Sequence, residues 1–233
     1  MLDSNLQDLW DSYLAAELEG IRAVTMPALN RFIDALLERS PDIWKPWAKK
    51  IAADISDRSV AIRMRFPLFY RVLLPALAEG VLRQEPGCAR WLAWFESHLT
   101  KSTSLPLPPE LRTSDALLAE AVRLDPSDDI ARQCIIKRHS SYLEYTLHAV
   151  PVGILYGPDG ASPSECESLL GLLGEFKTHV AVTGQQERYS ELISVCEFHY
   201  NAYAAYLRSG PPYEGYQRYL ETLAARHNPG RLR

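Results

Sequence analysis

Apolar residues recur along nearly the whole chain at three- and four-residue steps, broken by Ser-Pro, Thr-x-Pro and Asp-Pro punctuation that reads as one helix start after another. Leu6, Leu9, Trp10, Tyr13, Leu14, Leu18 and Ile21 make one stripe of a first helix entered through Asp3 or Ser4. Gln7, Asp8, Asp11 and Ser12 form its wet face. A second helix is predicted from Thr25 to about Arg39, with Pro27 in the first turn, where a missing N–H costs nothing, and Leu29, Phe32, Ile33, Leu36 and Leu37 inward. Ser40-Pro41 caps a third, with Ile43, Trp44, Trp47, Ile51 and Ile55 on one side and Lys45, Lys49 and Lys50 towards solvent.

The run from Phe66 to Leu82 is apolar on a broad face, and Pro75 inside it removes a backbone bond and should bend the helix. After Glu85-Pro86-Gly87 a short helix brings Trp91, Leu92, Trp94, Phe95 and Leu99 to the core. Residues 101–111 hold three prolines and no periodicity, which makes them an extended surface connector and the natural boundary. Beyond it a helix opens at Ser114, and Asp125-Pro126-Ser127-Asp128 closes it and caps the next, from about Asp129 to His148. The phrase Ala121–Pro126 resembles the junction between tetratricopeptide repeats over about one turn, but no second copy occurs at a fixed period. Val150–Tyr156, leading into Gly157-Pro158-Asp159-Gly160, is the place for any β structure. Ser162-Pro163-Ser164-Glu165 is a capping box for a helix to about Val182, followed by helices from about Gln186 to Arg208 and from about Tyr213 to Arg226.

The expected fold is therefore all-α, with about nine or ten helices in an irregular antiparallel helical bundle or in two helical lobes. The lobes would be a tryptophan-rich 1–104 and a tyrosine-rich 105–233.

Composition narrows the function. The chain has 233 residues, 47% of them hydrophobic, enough for a sizeable core. Its net charge of −4, spread along the sequence, offers no field for a polyanion or an anionic membrane. Nucleic acid and membrane are thus not the expected partners. Met1–Trp10 lacks a basic segment leading into an apolar stretch, and no uncharged run approaches the roughly 18 residues needed to cross a bilayer, so a soluble cytoplasmic protein is expected. Cys88, Cys134, Cys166 and Cys196 are widely separated, unlike a disulfide framework or a zinc site, and read as small buried hydrophobes.

Five groups carry possible chemistry. His139, Glu144 and His148 share one helix, with Glu144 and His148 four apart on one face as two metal ligands would be. A metal or cofactor held between helices would draw on Glu144, His148, Glu197 and His199, although the matched Glu and His pairs of a carboxylate-bridged site are missing and no cofactor is assigned. Cys196 and His199 are three apart, a spacing that splays a thiol from its base. Lys45, Lys49, Lys50, Arg58, Arg63, Arg65 and Arg71, interleaved with Phe66, Phe69 and Tyr70, make the only basic stretch, opposed by Asp54 and Asp57. The loop Tyr156–Ser162 precedes a helix N-terminus but lacks the spacing and lysine of a phosphate loop.

The fifth group is the most distinctive. Tyr200, Tyr203, Tyr206, Tyr213, Tyr216 and Tyr219 crowd the C-terminal region, and tyrosine serves both the seams between helices and protein-binding surfaces. The expected function is a non-enzymatic protein-binding module of a bacterial-type cytoplasm: an adaptor, a chaperone or a toxin-neutralising, immunity-type partner. The alternative is an α-helical enzyme with a metal or cofactor between helices, and a self-associating structural subunit is a third possibility.

Overall fold

Helix starts coincide with the sequence pattern wherever a side chain supplies the cap. A computed structural model describes residues 2–57, 60, 62–102, 104–209 and 214–227. It is all-α, 75% helical, with a single two-stranded sheet among the described residues. No helix among them is long and apolar enough to cross a membrane. The chain divides into two compact units, Met1–Ala131 and Arg132–Arg233. The division lies within a helix, so the connector 101–111 belongs to the first unit.

The first unit begins with α1 (Ser4–Glu19), capped by Asp3, whose carboxylate accepts from the Leu6 N–H at 2.9 Å. The buried stripe is Leu6, Trp10, Tyr13 and Ala16, and it stops a turn earlier than the sequence suggests. Gly20, at φ +73°, turns the chain, leaving Leu18 89% and Ile21 54% exposed. α2 (Arg22–Leu37) starts before Thr25, and Pro27 lies inside it. Thr25 is no cap: its buried hydroxyl sits 2.9 Å from the Ala16 carbonyl and 3.0 Å from that of Ile21, tying α2 to the end of α1.

α3 (Pro41–Ser56) is capped by Ser40 and buries Trp44, Ala48, Ile51, Ala52 and Ile55. That spacing leaves Ile43 beside the stripe and 45% exposed. The α3 lysines expected in solvent are partly engaged: Lys45 pairs with Glu79 and Lys49 with Glu85.

The proline-containing helix is α4 (Phe66–Leu68), a π-helical turn Phe69–Leu73, and α5 (Leu74–Leu82). Pro75 cannot donate to the turn before it, and the wide turn, in which the Leu74 N–H reaches the Phe69 carbonyl, absorbs the mismatch. α6 (Cys88–Trp94) and α7 (Glu96–Leu99) bury Leu92, Phe95 and Leu99, while Trp94 is 41% exposed. In the connector Leu107 is buried, Arg112 Nε donates to its carbonyl at 2.9 Å, and a 3-10 turn at Pro109–Leu111 packs on α8 (Ser114–Leu124). The cap of α8 is Thr113. Asp125 accepts from Ser127 and Asp128 from the Ala131 N–H, closing α8 and opening α9 (Asp129–Thr146) as the sequence predicts.

The second unit takes α9 from Arg132 onward, then β1 (Leu155–Tyr156) and β2 (Asp159–Gly160), paired antiparallel in the register Leu155↔Gly160 and Tyr156↔Asp159. α10 (Pro163–Val182) has the expected capping box, Glu165 N–H to Ser162 Oγ at 3.4 Å and Ser162 N–H to Glu165 Oε2 at 2.7 Å. α11 (Gln186–Arg208) returns along α10, and α12 (Tyr216–His227) packs on α11. The core is built from Ile136, Leu143, Ile154, Cys166, Leu169, Leu173, Phe176, Val180, Cys196 and Tyr200.

Candidate functional site

α11 carries two side-chain rows of different fate. Cys196, Tyr200 and Ala204, four apart, face the core and are buried. The Tyr200 hydroxyl lies 2.6 Å from Thr146 Oγ1, which donates to the Leu143 carbonyl at 2.7 Å. Burial pushes the Tyr200 hydroxyl far above the usual phenol value and raises the Cys196 thiol, so both stay protonated at neutral pH. His199 does not face Cys196 as a base; its Nδ1 sits 2.9 Å from the Tyr216 hydroxyl. Burial holds its imidazole below the ordinary value.

The tyrosines come together around Tyr216. Its ring is 1% exposed, edge-on to Tyr203 at 4.9 Å, with Tyr206 at 5.7 Å and Tyr219 at 6.4 Å. Tyr203, Tyr206 and Tyr219 are half-buried, and Tyr206 and Tyr219 stand 5.7 Å apart. The Tyr203 hydroxyl occupies the space beside Gly153, where a Cβ would stand 3.0 Å from it. Of the six tyrosines singled out from the sequence, Tyr200 and Tyr216 are core residues, Tyr203, Tyr206 and Tyr219 form a rim, and Tyr213 lies outside the described residues.

The outward face of α11 sets two apolar side chains among polar ones. Val195 is 38% and Phe198 53% exposed, and Phe198, Ser194, Glu197, Asn201 and Ala202 line an open groove. Ser194 and Asn201 spend donors on their own helix, to the carbonyls of Ser190 at 2.9 Å and Glu197 at 2.7 Å. The Glu197 carboxylate pairs with Lys177 at 2.9 Å. Val195 and Phe198 interleave with the buried row in sequence, which hides them; their three-residue spacing is the available signal.

The remaining candidates stay apart. Glu144 and His148 are exposed, His148 beyond the end of α9, while Glu197 and His199 hold the partners just described. Among the described residues no three His, Cys, Asp or Glu side chains are grouped to hold a metal ion. His139 stands 6.3 Å, ring to ring, from His179, whose Nδ1 is 3.4 Å from Arg132 Nη1; burial first, then Arg132, holds His179 below the ordinary imidazole value.

The basic stretch is largely met by acids. Arg65 grips Glu17 with two bonds of 2.6 and 2.9 Å, Arg71 pairs with Asp34 at 2.7 Å, and Lys50 with Asp54 at 2.7 Å. Phe69 is buried, whereas Phe66 and Tyr70 stack on each other at 5.6 Å and are 38% and 40% exposed. Arg58 lies outside the described residues. In the Tyr156–Ser162 loop the Tyr145 hydroxyl donates to the Gly157 carbonyl, and the first amides of α10 are served by its own capping box. Comparison with protein-family models, curated proteins and solved structures gives no match for this chain.

Proposed function

We propose that this chain is a non-enzymatic protein-interaction module of a bacterial-type cytoplasm, an adaptor, chaperone or toxin-neutralising partner, with its contact surface centred on the outward row of α11. The observation that carries the reading is the exposed Phe198, beside the exposed Val195, in an open groove where Ser194, Glu197 and Asn201 each already hold a bond within the chain. Such a groove gains most from burying apolar surface, and a central aromatic ring with a polar rim is the usual composition of an interaction hot spot.

The test is differential capture. The 233-residue chain and its Phe198→Asp variant, matched for helicity by circular dichroism, are used as baits with cross-linking and mass spectrometry. Proteins retained by the wild type and lost from the variant support the reading, and identical retention counts against it. Light scattering over a dilution series tells a foreign partner from a second copy, because self-association gives an oligomer whose mass follows the concentration of this chain alone. The alternative of a helical metalloenzyme needs Glu144, His148, Glu197 and His199 to converge, and no observation favours it over the α11 surface.

A further inference from the structure

We infer that the tyrosine face of α11 is a docking groove for an amphipathic helix, occupied in cis by α12, and that a partner helix with the same pattern of anchors competes with α12 for it. The inference rests on the reading of the second unit as a protein-binding surface and adds the chemistry of the partner and a means of regulation.

α12 presents Tyr216, Tyr219, Leu220 and Leu223 at positions i, i+3, i+4 and i+7, the spacing by which a helix fills a groove. One of the four is sunk completely: Tyr216 is 1% exposed, with its ring among Tyr203, Tyr206 and His199 and its hydroxyl on His199 Nδ1. Tyr219, Leu220 and Leu223 are half-buried, while Gln217, Arg218 and Glu221 face solvent. This is a buried anchor surrounded by shallower contacts, an arrangement that helix-in-groove interfaces share.

The length of α12 makes it dependent on the groove. It is 12 residues long, a length at which an isolated helix is marginal in water, so it persists because of the face it covers. α11 ends at Arg208 and α12 begins at Tyr216, so a tether of seven residues joins them in sequence. A short tether keeps α12 at a local concentration on the order of millimolar near the groove, so an outside helix must outcompete a tethered one. The partner chemistry follows from what the groove receives now: an aromatic ring with a hydroxyl able to meet His199, followed one turn on by a second aromatic and a leucine.

The experiment uses the full chain and, as probe, a fluorescein-labelled synthetic peptide of residues 214–227, followed by anisotropy. In Tyr216→Ala the cis anchor is gone, and the peptide should bind saturably. To wild-type protein it should bind about tenfold more weakly or less, because the groove is mostly filled. A peptide bearing Y216A and L220A should bind neither. Hydrogen exchange over residues 199–206 should speed up in Tyr216→Ala and slow again on adding the native peptide. The milder Tyr216→Phe, which removes only the bond to His199, should fall between wild type and Tyr216→Ala.

No peptide binding to either variant, equal binding to variant and wild type, or equal binding of the altered peptide overturns the inference. So does faster exchange in Tyr216→Ala that the peptide leaves unchanged, which marks α12 as an ordinary part of the core. If Phe198→Asp still loses its captured proteins in that event, the inference fails and the protein-binding reading stands.

Discussion

Arg90, its side chain 12% exposed, stands between two carboxylates, with Nε 2.9 Å from Asp128 Oδ2 and Nη1 on Asp57. Asp128 uses its other oxygen to accept from the Ala131 N–H at 2.9 Å, so one guanidinium fixes both the end of α3 and the start of α9. Asp128 is itself only 11% exposed, and losing the arginine would leave a buried carboxylate without its counter-charge. Arg90→Met should therefore lower the unfolding free energy by about 3 kcal/mol in urea titrations, and Asp57→Asn, at the 38% exposed partner, by clearly less. None of this is legible in sequence, because Asp57 and Asp128 lie more than thirty residues either side of Arg90. Three of the four cysteines match the expectation of small buried hydrophobes, and Cys134 does not. Cys88, Cys166 and Cys196 are buried and burial raises each thiol, Cys88 to about 11, which leaves hardly any thiolate at pH 8. Native protein treated with a thiol-specific chromogenic reagent at pH 8 should show these three as slow, with the half-buried Cys134 reacting ahead of them and all four titrating in denaturant.

Caps are local chemistry, and the helices that begin at Asp3, Ser40, Asp128 and Ser162 could be read from a few residues each. Thr25 misleads for a physical reason: a hydroxyl that can cap its own helix can equally tie back to the previous one, and only packing chooses. Pro75 announces a disturbance but not its form, since a wide turn at Phe69–Leu73 and a kink both remove the clash. Close approach between elements is also beyond sequence. Gly80 on α5 is buried, and a Cβ there would overlap Cys88 Sγ at the start of α6, with Cys88 Cβ 3.0 Å away. Gly80→Ala should then destabilise by about 1–3 kcal/mol through overpacking, even though alanine is the better helix former. Cys88→Ala in the same chain should recover part of that loss, since the sulfur is the nearest obstacle. A double-mutant cycle by urea unfolding checks both statements, and strictly additive losses would show that the two positions do not meet.

At the scale of the whole chain, fold class was the most legible property, because helical periodicity repeats in every segment while the surface row of α11 is a few residues seen once. The uneven aromatic content was legible too: all five tryptophans lie within Met1–Ala131, and the tyrosine cluster lies within Arg132–Arg233. Histidine provides the response of the folded chain to mild acid. Burial holds His98, His179 and His199 below the ordinary imidazole value of 6.5, with Arg132 adding to the effect at His179. Below that pH an unfolded imidazole takes up its proton while the folded one is still neutral, so the unfolded state binds more protons and gains on the folded state. The stability these groups contribute is present above pH 6.5 and is lost as pH falls through the folded values. Carboxyls whose values are lowered, Glu120 by its bond to Arg123 and Glu165 by the Ser162 N–H, add a second loss that begins below 4.5. The urea midpoint should thus be level from pH 7 to 8, decline as the pH falls below 6.5, and decline again below 4.5. Replacing His179 and His199 together with glutamine should flatten the first decline, leaving the share of His98, and should not alter the second. An unchanged first decline in that variant would mean that burial of these two imidazoles contributes nothing to the pH dependence.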